Sequence, residues 1–193
     1  GTRHIFGQYR GVSNRWSVVT HPAPPTVAQS AFDRTYCWAL NSTIDLHGNR
    51  IEYEYLPPGG ESDSSGILYP SRIRYSFLDG NYHEVRFLYR DRPDKFEDYR
   101  ATFAVTIGKR MAGVEVHSFY GGTDHLVRAY DLEYSYRPED GIAVPVGTLD
   151  TGVSTLKRIV QRDRSGNTNN YLPPLLFEYS PMTLADAQLH SIA

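Results

Sequence analysis

The sequence predicts an all-β chain, an antiparallel meander of long twisted strands, and three observations carry that expectation. The first is a strand, tight turn and strand in succession: Trp38-Ala39-Leu40, then Asp45-Leu46-His47-Gly48-Asn49, then Arg50-Ile51-Glu52-Tyr53-Glu54-Tyr55. Asp45 and Asn49 tolerate turn backbone, Gly48 supplies positive φ without steric cost, and alternation resumes at Ile51. The second is composition. The 193 residues include 15 Tyr, 8 Phe and 2 Trp, with many tyrosines at alternate positions, and aromatic side chains suit a pleated, half-buried surface. The third is a second version of the same unit: Leu156-Lys157-Arg158-Ile159, Asp163-Arg164-Ser165-Gly166-Asn167, and Leu175-Leu176-Phe177-Glu178-Tyr179. Aromatic-Glu-Tyr closes both units, and a device used twice points to architecture rather than to a catalytic centre.

In chain order, short strands are expected at His4-Ile5-Phe6 and Trp16-Ser17-Val18-Val19, followed by the extended connector His21-Pro22-Ala23-Pro24-Pro25, which lacks ladder donors. From Tyr36 to Tyr136 the pattern is period two. Ile51, Tyr53 and Tyr55 oppose Arg50, Glu52 and Glu54, as a strand with one buried face requires, and Ile73, Tyr75 and Phe77 oppose Arg72, Arg74 and Ser76. Between them, residues 57–66 have no apolar content to bury and read as a flexible loop. Asp79-Gly80-Asn81 is the sharpest hairpin turn and leads into Val85, Phe87 and Tyr89. Residues 91–100 read as a solvated charged loop, Gly108-Lys109-Arg110 as a turn, and Gly121-Gly122 as another turn feeding Leu126 to Tyr136. Residues 137–152 read as a longer loop, and Thr183 is placed to cap a short helix over 184–190.

The composition bounds function. A formal net charge of -2 argues against a nucleic-acid footprint, which needs clustered excess Lys and Arg. No apolar run approaches the roughly 20 residues of a membrane helix, so no direct membrane span is expected. Cys37 is the single cysteine, which excludes an internal disulfide and a Cys-based zinc cluster and fits buried packing beside Tyr36 and Trp38. Gly1-Thr2-Arg3-His4-Ile5-Phe6-Gly7 has no initiator Met and no leader pattern and already looks like a turn feeding a strand, so the expectation is a slice of a larger protein.

Candidate chemistry is sparse. Glu52 and Glu54 have a carboxylate spacing seen in ADP-ribosylating enzymes, but on a strand they share a face with Arg50 and meet Arg72 and Arg74 across it, which reads as a solvated charge ladder. The histidines at 4, 21, 47, 83, 117, 125 and 190 show no zinc spacing; His117 and His125, with Asp124, would converge across the Gly121-Gly122 hairpin, a weak metal signal beside ordinary surface histidines. Neither Gly59-Gly60 nor Gly121-Gly122 leads from strand to helix as a phosphate loop would. No catalytic, cofactor-binding or metal residue is therefore assigned, no cofactor is implied, and the expectation is a protein that is not an enzyme. Arg92-Pro93-Asp94, Tyr99-Arg100 and Lys109-Arg110 read as salt-bridged surface, with contact to neighbouring modules as the functional version.

Taken together, Thr2-Arg3-His4-Ile5-Phe6-Gly7, Trp38, Asp45-x-x-Gly48-Asn49-x-Ile51-x-Tyr53-x-Tyr55, Ile73-x-Tyr75, Val85-x-Phe87, Arg92-Pro93-Asp94, Lys109-Arg110, Leu126-Val127-Arg128-x-Tyr130-x-Leu132-x-Tyr134 and Leu172-Pro173-Pro174-x-x-Phe177-x-Tyr179 fall in an order that closely resembles the SpvB-like region of bacterial toxins. That region is shared by SpvB and the TcdB-type B component of insecticidal toxin complexes. The resemblance covers residues 1–181 and leaves 182–193 as a tail or the start of the next module. It implies a non-catalytic structural and assembly segment of a large secreted toxin, cytoplasmic before export, forming part of a Rhs-like β shell that encloses or delivers a toxic domain. Its implied partners are the remaining parts of its own chain and other toxin-complex components. Tyr-Asp repeats are missing apart from Tyr130-Asp131, which places this piece before the repeats of the shell. The alternative from another class is a carbohydrate- or surface-binding β-sandwich module, which requires aromatics clustered at loop ends rather than alternating into a core.

Overall fold

Alternation of apolar and polar side chains materialises as strands wherever turn residues let the chain reverse. A computed structural model describes residues 1–6, 18–20, 35–56, 67–100, 104–135, 154–162 and 172–179. Its strands are β1 (Arg3–Phe6), β2 (Val18–Thr20), β3 (Thr35–Trp38), β4 (Leu40–Ile44), β5 (Arg50–Leu56), β6 (Tyr69–Leu78), β7 (Asn81–Asp98), β8 (Val105–Tyr120), β9 (Thr123–Tyr134), β10 (Leu156–Arg162) and β11 (Leu175–Leu176). Among the described residues there is no helix. Nine strands form one open antiparallel sheet in the order β1-β4-β5-β6-β7-β8-β9-β10-β11, and β2 pairs with β3 in a separate ribbon. The all-β antiparallel meander is as the sequence predicts. Loops 57–66 and 137–152, Tyr136, the turn after β10, the capped segment 184–190 and the tail 182–193 lie outside the described residues.

The tight turns follow their chemistry. The β6–β7 hairpin closes through Asp79 at φ 47° and Gly80 at φ 80°, positive at both central positions as the twist of a two-residue hairpin demands. Gly121 and Gly122, at 60° and 75°, close β8 onto β9 in the same way. Asp45 organises the β4–β5 turn through its side chain: Oδ1 accepts from the amides of His47 (2.8 Å) and Asn49 (2.9 Å), and Oδ2 from the Asn49 side-chain amide (2.7 Å).

Two expectations are corrected along β7 and β8. The charged stretch 91–100 is not a loop, because β7 continues to Asp98, and Gly108-Lys109-Arg110 is not a turn, because β8 runs through it. The register passes from Asp91↔Lys109 to Phe96↔Ile107, so residues 92–95 bulge opposite Gly108. Pro93 sits inside that bulge, where no ladder donor is required, and its presence does not end the strand.

Mid-strand Gly113 has a different reason. A Cβ there would stand 2.8 Å from the Tyr130 carbonyl oxygen and 3.5 Å from Leu88 Cδ1. The β9 backbone cannot withdraw without breaking its ladder, so Gly113→Ala is expected to lower stability by about 2 kcal/mol through overpacking. A urea melt measures this directly, and an unchanged midpoint removes the constraint.

Candidate functional site: a transverse ion ladder and the two ends of the sheet

Antiparallel pairing places register partners on one face, and the charged positions of six strands fall there together. One row runs Glu52↔Arg74↔Glu84↔His117, and the adjacent row runs Glu54↔Arg72↔Arg86↔Glu115. Arg74 donates to Glu84 at 2.6 Å and to Glu54 at 2.9 Å; Arg72 reaches Glu54 at 3.0 Å and Glu84 at 3.8 Å; Arg86 bonds Glu84 and also Asp124, the latter at 2.7 Å. Three guanidinium groups thus share one carboxylate. The ladder continues through His117, whose Nδ1 lies 2.9 Å from Asp124 and whose Nε2 lies 3.2 Å from Glu115. It ends on β10, where Arg162 lies 2.7 Å from Asp131 and Arg158 forks onto Glu133 at 2.7 and 2.9 Å.

This face was expected to be solvated, and here the structure corrects the sequence. The Glu84 side chain is 1% exposed and His117 is buried, as are Ala129 and Val160 on the same face. Long Arg and Glu stems lying across the sheet cover one another and the small residues between them. Burial pushes the Glu84 carboxyl up, but the bonds from Arg86 and Arg74 outweigh it and hold Glu84 below its ordinary value. Asp124 behaves in the same way: burial raises it, and Arg86 and His117 bring it down further.

Phe77 is also on this face, against expectation. Ser76 takes φ 57° where the β6–β7 register shifts, and this bulge turns Phe77 out of the Ile73–Tyr75 row. The Arg50 guanidinium lies 4.9 Å over the Phe77 ring, which neighbours Tyr82 at 5.9 Å, and Tyr82 stacks on Phe119 at 5.0 Å. An aromatic row therefore crosses β6, β7 and β8 next to their hairpin turns.

At the opposite end, Asp94 gathers the β7 bulge, β8 and the approach to β10. It accepts from Arg92 (3.1 and 2.8 Å) and from the Ser154 amide (2.7 Å) and hydroxyl (2.6 Å), while Arg110 donates to the same Ser154 oxygen at 2.8 Å. Burial raises the Asp94 carboxyl, but the Arg92 and Ser154 bonds dominate and hold it far below the usual carboxylate range. Nearby, the Tyr69 hydroxyl accepts from the Gly108 and Lys109 amides at 3.0 and 3.1 Å, and Tyr89, 5.2 Å away ring to ring, is pushed up to about 12 by burial. Sequence reasoning singled out Arg92-Pro93-Asp94 but had no signal for Ser154, 60 residues downstream.

The two repeated units meet the same end. Tyr55 donates its hydroxyl to the Leu40 carbonyl at 2.9 Å, and Tyr179 donates to the Leu156 carbonyl at 2.8 Å. In each unit the closing tyrosine reaches back to the start of the opening strand.

Of the other candidates, Glu52 and Glu54 sit in the ladder as a cross-strand charge array. His117 joins Asp124, but His125 does not join them; its ring stacks on Tyr120 at 4.1 Å. Among the described residues no group of three or more His, Cys, Asp or Glu side chains is placed to hold a metal ion. Cys37 lies in β3, and Gly59-Gly60 falls outside the described residues. No helix among the described residues is long and apolar enough to cross a membrane.

The fold is shared with proteins of bacterial toxin assemblies and with a bacterial effector. The crystal structure of TcdB2-TccC3 matches 93% of this chain at TM-score 0.62 and 16% identity, and the Photorhabdus luminescens Tc holotoxin pore matches 93% at 0.65 and 17%. The N-terminal domain of effector protein SpvB from Salmonella typhimurium strain LT2 matches 92% at 0.58 and 15%. The chain spans 10% of the matched chain in each of the first two and 59% of that in the third. No protein family model and no curated protein matches this sequence.

Proposed function

We propose that this chain is a non-catalytic structural and assembly segment of a large bacterial toxin, either a toxin-complex B component or an SpvB-like protein, and that it helps enclose or deliver a toxic domain. In this reading residues 1–181 belong to its β region, 182–193 are a tail or the start of the next module, and the parent protein is exported. Its partners are the remaining parts of its own chain and the other toxin-complex components. No residue is assigned a catalytic, cofactor or metal role in this reading.

The observation that carries the proposal is the state of the apolar surface. Tyr69, Val105, Ala129 and Val160 are the buried apolar residues among those described, whereas Leu46, Leu78, Tyr99, Leu175 and Leu176 are each more than half exposed. A sheet left in this state calls for covering surfaces from elsewhere. The likeness to a Tc holotoxin and to SpvB supports toxin parts as those surfaces.

The test is capture of the purified chain by the flanking parts of its parent, together with a circular-dichroism melt of the chain alone. Poor cooperativity rescued by the flanks is expected. Cooperative melting without capture overturns the proposal. It would advance a second reading, a glycan- or surface-binding module, which the row Phe77, Tyr82 and Phe119 favours because it clusters aromatics at hairpin ends.

A further inference from the structure

The repeat carries an inference about the open edge at β11, and it rests on the assembly reading above. In the first unit β5 is the returning strand, and β6 pairs along its outer side with Arg72 opposite Glu54 and Arg74 opposite Glu52. Aligning the closing phrases, Tyr53-Glu54-Tyr55-Leu56-Pro57 against Phe177-Glu178-Tyr179-Ser180-Pro181, sets Glu178 in the place of Glu54 and Leu176 in that of Glu52. The equivalent hydroxyl bonds of Tyr55 and Tyr179 support this alignment in three dimensions.

One difference stands out. β5 is seven residues long and β11 is two, and β11 is the last strand of the sheet. Leu175 pairs with Ile159 and the Phe177 amide donates to the Lys157 carbonyl, so alternation turns the amides and carbonyls of Leu176 and Glu178 outward. Leu172, Leu175 and Leu176 are 56, 59 and 66% exposed, and Glu178 is exposed with no ion pair among the described residues. An edge of outward backbone groups, bare leucines and an uncompensated carboxylate is half of a strand pairing.

We infer that the outer edge of β11 receives one further antiparallel strand, supplied by the polypeptide that follows Pro181 in the parent protein, with Arg or Lys across from Glu178 and apolar residues beside Leu175 and Leu176. This strand stands to β11 as β6 stands to β5. Its pairing extends β11 toward the length of β5 and neutralises Glu178 as Arg72 neutralises Glu54.

The probe is a synthetic peptide of residues 69–78 carrying Arg74→Leu, the β6 sequence adjusted for Leu176, added to the full 193-residue chain. Slowed hydrogen exchange at the amides of Leu176 and Glu178 is expected. Glu178→Arg should weaken peptide binding about fivefold, and a peptide that also carries Arg72→Glu should restore it. The same strand appended behind residue 193 through a flexible linker makes the pairing intramolecular and detectable at low affinity. Absence of protection at Leu176 and Glu178 in both formats overturns the inference, as does indifference of binding to Glu178→Arg. Capture by the parent's flanking segments without protection of these two amides also overturns it, while leaving the assembly reading in place.

Discussion

Replacing Glu84 by glutamine is expected to lower stability by about 3 kcal/mol, the largest loss from any single neutral substitution on the charged face. The magnitude follows from what remains behind. Breaking a buried pair by removing one partner costs about 3–5 kcal/mol because it strands the other charge, and here three arginines lose their shared buried carboxylate at once, although Arg72 and Arg74 keep Glu54 and Arg86 keeps Asp124. The lower end applies because Arg72, Arg74 and Arg86 are 39, 25 and 34% exposed and water screens part of their repulsion. By contrast, Glu133→Gln removes a pair whose Arg158 side chain is 48% exposed, and a change below about 1 kcal/mol is expected. The pH dependence has a definite sign. Glu84 titrates lower in the fold than its ordinary value of 4.5, so its contribution is fully present above about 4.5 and is lost as pH falls further. Urea melts between pH 7 and pH 3 should show wild type losing stability below about 4.5 while Glu84→Gln loses less. Equal acid sensitivity in both proteins would show that Glu84 is not the centre of the ladder.

The strands and their turns were legible because each depends on local chemistry. Asp79-Gly80 and Gly121-Gly122 announce hairpins whatever surrounds them, and the alternation Arg50 to Tyr55 announces a strand. The period separates two faces but does not say which is deeper. In a single sheet the long charged side chains cover themselves, so the largest fully buried side chain among the described residues is Glu84 rather than a tyrosine. Phe77 was misplaced because a left-handed Ser76 has no sequence marker; serine is unremarkable in a strand until the register slips. The stretch 91–100 was misread because Pro93 and seven charged residues imitate a loop, whereas the partner that makes the stretch a strand is β8. Ser154 was invisible for the simplest reason: its bond to Asp94 spans 60 residues.

That long-range bond leads to the other large effect. Asp94→Asn keeps the size of the side chain, but its amide nitrogen cannot accept, so in either orientation it meets an Arg92 guanidinium N–H donor to donor, and in one of them the Ser154 amide as well. Hydrogen bonds to a charged group contribute about 1.5–3 kcal/mol, and with Asp94 and Arg92 only 5 and 15% exposed the expected loss is about 3 kcal/mol. Its location matters as much as its size. Ser154 lies two residues before Leu156, the first residue of β10, and Arg110 of β8 donates to its hydroxyl, so Asp94 and Arg110 together pin the start of β10 to the β7 bulge. Loss of the pin should free the β10–β11 end first, and amide exchange at Val160 and Phe177 should accelerate before exchange in β6. Such an order would make the end of the sheet that offers β11 an independently adjustable unit, positioned by a carboxylate some 60 residues away. Uniform acceleration across the sheet would instead mean that the sheet opens as one body, with Asp94 contributing to global stability alone.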